Sequence, residues 1–274
     1  GRRWVVLSKH RSLVRTLLGV ALGVALAAAL PVLATAGSNA RSSDPGTRFY
    51  APGPSEGAIK QGIDLLRKGK IRDALLIGAM ELQPRAVWVT QGTPADARKE
   101  VRETVARAAL QRAVPVLVAY DIPGRDCGGL SAGGALTTAE YKAWIDGFAS
   151  GLGSRKAIVI LEPDGLGLLP SNCGGPNPSY PFTDAQRYEE LNYAVDRLGQ
   201  AGATVYLDGT HSHWLSVGDI SLRLVNAGVQ RARGFFLNVS NFRATPDGLK
   251  FGTWISQCIA FANNPDDGGW RLGH

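Results

Sequence analysis

Short apolar runs and longer amphipathic stretches alternate along the chain from about residue 86 onward. The runs are AVWV at 86–89, PVLVAY at 115–120, AIVILE at 157–162, ATVYLD at 203–208 and GFFLN at 234–238. They are rich in β-branched residues and apolar nearly throughout, the pattern of strands buried on both faces of a parallel sheet. Segments of helical period lie between them, at about 95–112, 138–151, 183–200, 216–227 and 245–262. Thr183, and Thr137 or Thr138, stand where helix N-caps are expected. Strand–helix alternation of this kind predicts an α/β fold, a parallel sheet with helices outside, either open or closed as a barrel.

The polar residues choose between these two forms. Successive runs end in Tyr120 and Asp121, in Glu162 and Asp164, in Asp208, and in Asn238 and Asn241. A barrel collects its chemistry from the carboxyl ends of several strands, whereas an open doubly wound sheet concentrates it at one switch point. The expected fold is therefore a (β/α) barrel. No G-x-G-x-x-G follows a strand and no phosphate loop with Lys is present, so nucleotide binding has little support.

Composition changes the picture mainly at the N-terminus. The chain has 274 residues, 45% of them hydrophobic, enough for one large core. Its net charge is +7, but Arg2, Arg3, Lys9, Arg11 and Arg15 face no acid before residue 37. Without these five the chain carries 25 basic against 23 acidic residues, so nucleic acid is not an expected partner. The basic stretch is followed by an apolar run, TLLGVALGVALAAALPVLA, and by Ala34-Thr35-Ala36. Residues 1–36 are read as a cleaved signal peptide rather than a membrane anchor, because Pro31 and the small-residue site follow the run. Residues 37–47 read as a polar linker and 48–274 as the folded domain, secreted, monomeric and free of the membrane once the signal is removed. Three cysteines in an exported chain suggest one disulfide and one orphan, which spacing alone cannot pair.

Candidate chemistry sits in two segments. Asp164 follows a strand and Pro163, beside the apolar Leu166. A partly desolvated carboxyl at such a strand mouth has its pKa raised, which suits a proton donor, although a turn or helix-cap aspartate has the same setting. Asp126 lies in a Gly-rich loop after another strand and could relay a proton to a partner carboxyl, or form a surface pair with Arg125. Tyr120 could bond a reacting sugar or edge the core. Trp88 and Trp214, at or beyond strand ends, suit stacking on sugar faces, while Trp144 falls inside an amphipathic helix. His211 and His213 have a zinc-like spacing, but His10 is in the leader and His274 is terminal, so no metal is expected. Asn238-Val-Ser240 fits a glycosylation acceptor but sits at a strand end.

Together these segments resemble glycoside hydrolase family 6, which comprises cellulases, both endoglucanases and cellobiohydrolases. VAYDIPGRDCGGLSAGG (Val118 to Gly134) and VILEPDGL (Val159 to Leu166) are similar to its two signatures, and VYLDGTHSHW and LNVSNF to two further blocks in the same order. The resemblance covers about residues 48–274. It implies a distorted barrel with a groove across its top, inversion at the anomeric carbon, a β-glucan substrate and no cofactor. It also implies Asp164 as general acid, Asp126 as its proton-network helper and Tyr120 at the distorted sugar ring. Trp88, Asp208, His211, Trp214, Asn238 and Asn241 are then groove residues, and Cys127 and Cys173 a disulfide that pins the Asp126 loop.

The chain departs from the family at its end. Nothing after Asn241 is similar to the family's Lys-Pro-Gly-Glu-like block or to its further aspartate, the candidate base, and Cys258 is left without the partner the family provides. The expectation is a chain truncated at the C-terminus. Ala132 stands where many relatives have a serine, and Ser131 is adjacent. The expected activity is endo-acting hydrolysis of β-1,4-glucosidic bonds. The alternatives are an exo-acting cellobiohydrolase and a chain that binds glycan without turnover.

Overall fold

A computed structural model describes residues 46–175 and 180–262. The leader at 1–36, most of the linker, and the segment after residue 262, with Trp270, lie outside the described residues. Five strands form one parallel sheet in chain order: β1 (Val87–Val89), β2 (Val116–Ala119), β3 (Ile158–Leu161), β4 (Thr204–Asp208) and β5 (Gly234–Phe236). Every expected strand is present. Two helices that the sequence reading did not name come first, α1 (Glu56–Arg67) and α2 (Ile71–Glu81). They belong to a compact unit spanning Gly53–Gln83, separate from that of Thr47–Pro52 and Pro84 onward. In the second unit α3 (Pro94–Leu110), α4 (Thr138–Leu152), α5 (Asp184–Gln200), α6 (Val217–Asn226) and α7 (Thr245–Ala262) follow β1 to β5 in turn.

The helices begin where their caps dictate. Thr93 and Thr183 each accept from the third helical amide, and Asp96 and Gln186 return the bond to the cap residue's own N–H. Thr137 and Ser216 cap α4 and α6 in the same way from the side chain alone. A cap of this kind is worth about 1 kcal/mol. No described helix is long and apolar enough to cross a membrane.

Alternation along the strands separates two apolar layers. Leu117 and Ala119 of β2, Val159 and Leu161 of β3, and Val205 and Leu207 of β4 join the buried faces of α3 to α7 in one large core. Val118, Tyr120 and Ile160 point the other way and form a second, small cluster with Ala86, Val116 and Val239. The helices thus cover one face of the sheet, as in a barrel wall, instead of both faces as in a doubly wound fold. The opposite face carries the row Trp88, Val118, Ile160 and Tyr206, paired strand to strand. Among the described residues the sheet ends at β5 and the barrel is not closed.

Helices α3 and α4 approach closely, and the sequence permits this through one residue. A Cβ on Gly147 would stand 2.1 Å from the Pro94 carbonyl oxygen, a backbone atom that cannot swing aside. Gly199 in α5 has nothing within 4 Å of the same position. Gly147→Ala should therefore lower the thermal midpoint markedly. Gly199→Ala should raise it or leave it unchanged, in line with the gain of up to about 1 kcal/mol for alanine over glycine in a helix. Thermal unfolding followed by circular dichroism compares the two.

Candidate functional site

The strand mouths share a backbone feature. Of the seven described non-glycine residues with positive φ, six lie just beyond the carboxyl ends of β2 to β5: Asp126, Cys127, Glu162, Asp164, Thr210 and Asn238. Each such residue costs on the order of 1–3 kcal/mol and persists only where its surroundings over-determine it. Asp and Asn tolerate this conformation best. What holds them is a set of buried polar groups aimed at the loops.

Asp164, at φ 63°, shows how this is done. Its N–H donates to Oδ2 of Asp208 at 2.7 Å, and the other Asp208 oxygen accepts from the Thr210 N–H at 3.1 Å. Asp208 is 2% exposed, so its side chain props the neighbouring loops and is not laid open along a groove. Burial pushes its carboxyl up to about 7, against the pull of the Asp164 amide. The Asp164 carboxyl itself is half-buried, and burial raises its pKa above the ordinary aspartate value. A hydrogen bond with Ser240 works against that rise, the charge of Asp126 adds to it, and His211 opposes it.

Glu162 does for the β2 loop what Asp208 does for the β3 loop. It is 1% exposed, and its carboxyl accepts from the amides of Asp121 and Ile122 at 3.1 Å. Burial carries its pKa up to about 8 in spite of these donors. Asp121 is also buried, and desolvation lifts it to about 7, with Arg125 opposing and Glu140 reinforcing.

Arg125 takes a role other than the surface pair considered from the sequence. It is 9% exposed and donates to the carbonyls of Thr90 at 2.7 Å, Ser131 at 2.8 Å and Ala132 at 3.2 Å, and also to that of Tyr120. Its guanidinium lies 4.4 Å from the centre of the Tyr120 ring. The loop is a turn built on carbonyls that only a planar fork can gather. Asp126 is thereby left free of Arg125, and its Oδ2 accepts from the Ser131 amide at 2.7 Å. The bond comes from the backbone of Ser131 and does not use its hydroxyl. Cys127 and Cys173 form a disulfide, and Cys258 is free.

Tyr120, Asp126 and Asp164 come together as a group. Burial, then the charge of Asp164, raises the Tyr120 phenol to about 12, with Asp126 and Glu162 contributing. A phenol so placed stays protonated and can donate. Trp88, 40% exposed, meets the Tyr120 ring edge to face at 5.5 Å and extends the inner face outward. On the far side of Asp164 the rings of His211 and Trp214 lie 5.6 Å apart. Gly167 makes room there, since a Cβ would stand 2.7 Å from the Trp214 ring. Burial lowers the His211 pKa, and the imidazole Nδ1 accepts from the His213 amide at 3.2 Å.

Two expected groove residues are placed less directly. The Asn238 side chain closes its own loop, donating to the Arg243 carbonyl and accepting from the Arg243 amide, each at 3.2 Å. Asn241 is exposed within that loop. Ser240, weighed from the sequence only as part of a glycosylation pattern, is the residue that reaches Asp164. Among the described residues no group of three or more His, Cys, Asp or Glu is arranged to hold a metal ion.

The chain's resemblances to known proteins agree with this geometry. The family pattern described as Glycosyl hydrolases family 6 matches residues 44–260. Endoglucanase A of Cellulomonas fimi is 40% identical over 186 residues, which are 68% of this chain and 39% of that protein. Endoglucanase 1 of Streptomyces halstedii is 35% identical over 237 residues, 84% of this chain and 70% of its own length. Among solved structures, the endoglucanase Cel6 from Mycobacterium tuberculosis in complex with methyl-cellobiosyl-4-deoxy-4-thio-β-D-cellobioside superposes with a TM-score of 0.68 at 36% identity. That match covers 79% of this chain and 70% of the other. The chain thus spans about two fifths of the first of these relatives and about 70% of the second. With its signatures at the strand mouths and its pattern matched over most of the described length, the chain belongs to glycosyl hydrolases family 6.

Proposed function

We propose that this chain is the acid-bearing part of a secreted endo-acting β-1,4-glucanase, with Asp164 as general acid. One observation carries the reading. A half-buried carboxyl with a raised pKa stands at a strand mouth between an exposed tryptophan and a His–Trp pair, which are the chemical needs of proton delivery to a sugar oxygen. Cellulases among its relatives, and the cellobiosyl ligand held by the Mycobacterium tuberculosis enzyme, support a β-glucan as substrate.

The steps follow from the groups present. Trp88 and Trp214 offer apolar faces to the sugar rings. Tyr120, held by Arg125, stands beside the ring that must distort. Asp164 enters protonated and gives its proton to the leaving oxygen. Asp126, whose charge helps keep that proton on Asp164, also accepts a bond from the Ser131 amide and serves the proton network. An inverting reaction needs a water between the anomeric carbon and a base, with the carboxyls about 6.5–9.5 Å apart. Of the carboxylates beside Asp164, Asp126 acts on it through its charge, and Asp208 has both oxygens engaged by backbone. That census supports a second reading, glycan binding without turnover by the chain alone.

Turnover of a soluble cellulose derivative separates the two. The chain should release reducing ends, and Asp164→Asn should lower kcat by roughly 10²–10⁴-fold, the usual share of general acid catalysis. Equal rates in the two proteins would remove Asp164 from the acid role. Retention on immobilised cellulose with no turnover by either would establish binding alone.

The pH profile gives a further expected outcome. The acid must be protonated, so activity is lost as pH rises through the raised Asp164 pKa. Asp126→Asn removes a like charge and should move the alkaline limb of kcat/KM to lower pH. An unmoved limb would show that Asp126 does not act on the acid.

A further inference from the structure

The loops that carry Asp126 and Asp164 are joined twice, once by the disulfide and once by a buried cation. Arg187 lies in the first turn of α5, where its N–H donates to the carbonyl of the cap residue Thr183. Its side chain is 2% exposed. One guanidinium nitrogen, Nη1, donates to the carbonyls of Gly165 at 2.7 Å and Leu168 at 3.1 Å. The other, Nη2, donates to the carbonyl of Pro123 at 2.8 Å. Gly165 directly follows Asp164, and Pro123 is three residues before Asp126. A single planar group therefore spans from one aspartate's loop to the other's.

The arrangement is costly to build and is not explained by packing. The nearest carboxylate, on the 1% exposed Glu190, is 3.9 Å from Nε, too far for a hydrogen bond, and Glu190 Oε1 is engaged by the Thr138 hydroxyl at 2.7 Å. Arg187 Nε has no hydrogen-bond partner among the described residues. Its hydrogen bonds go to three carbonyls, two on one loop and one on the other, and the Tyr180 hydroxyl and the Glu190 carboxyl also interact with it. The apolar contribution of α5 to the core comes from Leu191, Ala194, Val195 and Leu198. On the opposite side the Cys127–Cys173 bond ties the residue after Asp126 to the turn of Pro170–Cys173 beyond Leu168.

We propose that Arg187 is a positioning residue that fixes the separation of Asp126 and Asp164, acting in parallel with the disulfide. The proposal rests on Asp164 being the proton donor. Lysine at this position keeps the charge but offers donors from one point, so it cannot hold both loops. In Arg187→Lys the loop of Asp126 drifts from Asp164, the like-charge repulsion weakens, and the acid ionises at lower pH.

Two measurements on the full chain test this. The first follows the Asp164 side-chain carboxyl by carbon NMR through a pH titration and needs no turnover. In Arg187→Lys its midpoint should move to lower pH, and in Arg187→Ala millimolar guanidinium should move it back, while equal concentrations of sodium or urea should not. The second is kinetic: kcat should fall on the order of 10²-fold, the scale of a 1 Å misplacement, with KM changed much less. The loss should deepen beyond additivity when Cys127→Ser is combined with it, since each tie covers for the other. A titration midpoint unmoved in a folded Arg187→Lys, judged by an unchanged circular dichroism spectrum, would overturn the proposal even if kcat fell. If wild type and Asp164→Asn turn over alike, the acid assignment fails, and the titration still decides whether Arg187 governs the pair.

Discussion

A buried carboxylate accepting from the backbone N–H of the preceding strand's loop is the constraint on which the strand mouths depend. Asp208 grips Asp164 and Thr210, and Glu162 grips Asp121 and Ile122. A parallel sheet ends its strands with amides that no neighbour can take, and turning them toward solvent would release the loops. The two carboxylates satisfy those amides, and Asp208 thereby holds Asp164 and Thr210 in a left-handed backbone. That backbone turns the half-buried side chain of Asp164 toward Ser240, Asp126 and His211. Remove the grip and the same residue types would remain, but without a fixed relation to one another.

The same economy of construction recurs around the loops. Arg125 gathers carbonyls on one side of the Asp126 turn, Arg187 gathers them on the other, and the Cys127–Cys173 bond closes the outside. Their hydrogen bonds go to backbone oxygens and not to Asp126 or Asp164, so they orient chain direction without pairing directly with those two aspartates. The electrostatic character of the site then comes from the aspartates, the phenol of Tyr120 with Arg125 over its ring, and His211.

Much of this was legible in the sequence, for reasons that are local. β-Branched runs gave β2, β3 and β4 nearly to the residue, because strands buried on both faces admit little else. Thr137 and Thr183 announced their helices through capping chemistry. Asp164 stood out because it follows a strand and a proline. α1 and α2 were passed over because they lie before the strand–helix alternation begins and no strand introduces them. Arg125 read as a surface charge, since nothing in its neighbours along the chain reveals four carbonyls that converge only after folding. Arg187 and Ser240 were missed for the same reason: their partners are 19 to 76 residues away, and a helix-borne arginine or a loop serine carries no mark of such a reach.

The buried carboxyls have a thermodynamic consequence for how stability depends on pH. Glu162, Asp208, Asp121 and Glu190 are all raised, to about 8, 7, 7 and 7. An unfolded chain ionises the same groups near 4, so between those limits the folded state binds more protons. Stability then falls with rising pH, by linkage. The stabilisation is complete in acid below the unfolded values and fades as pH climbs through 7 to 8. The strand mouths thus behave as a proton store, and their contribution to stability is greatest in acid and smallest above pH 8.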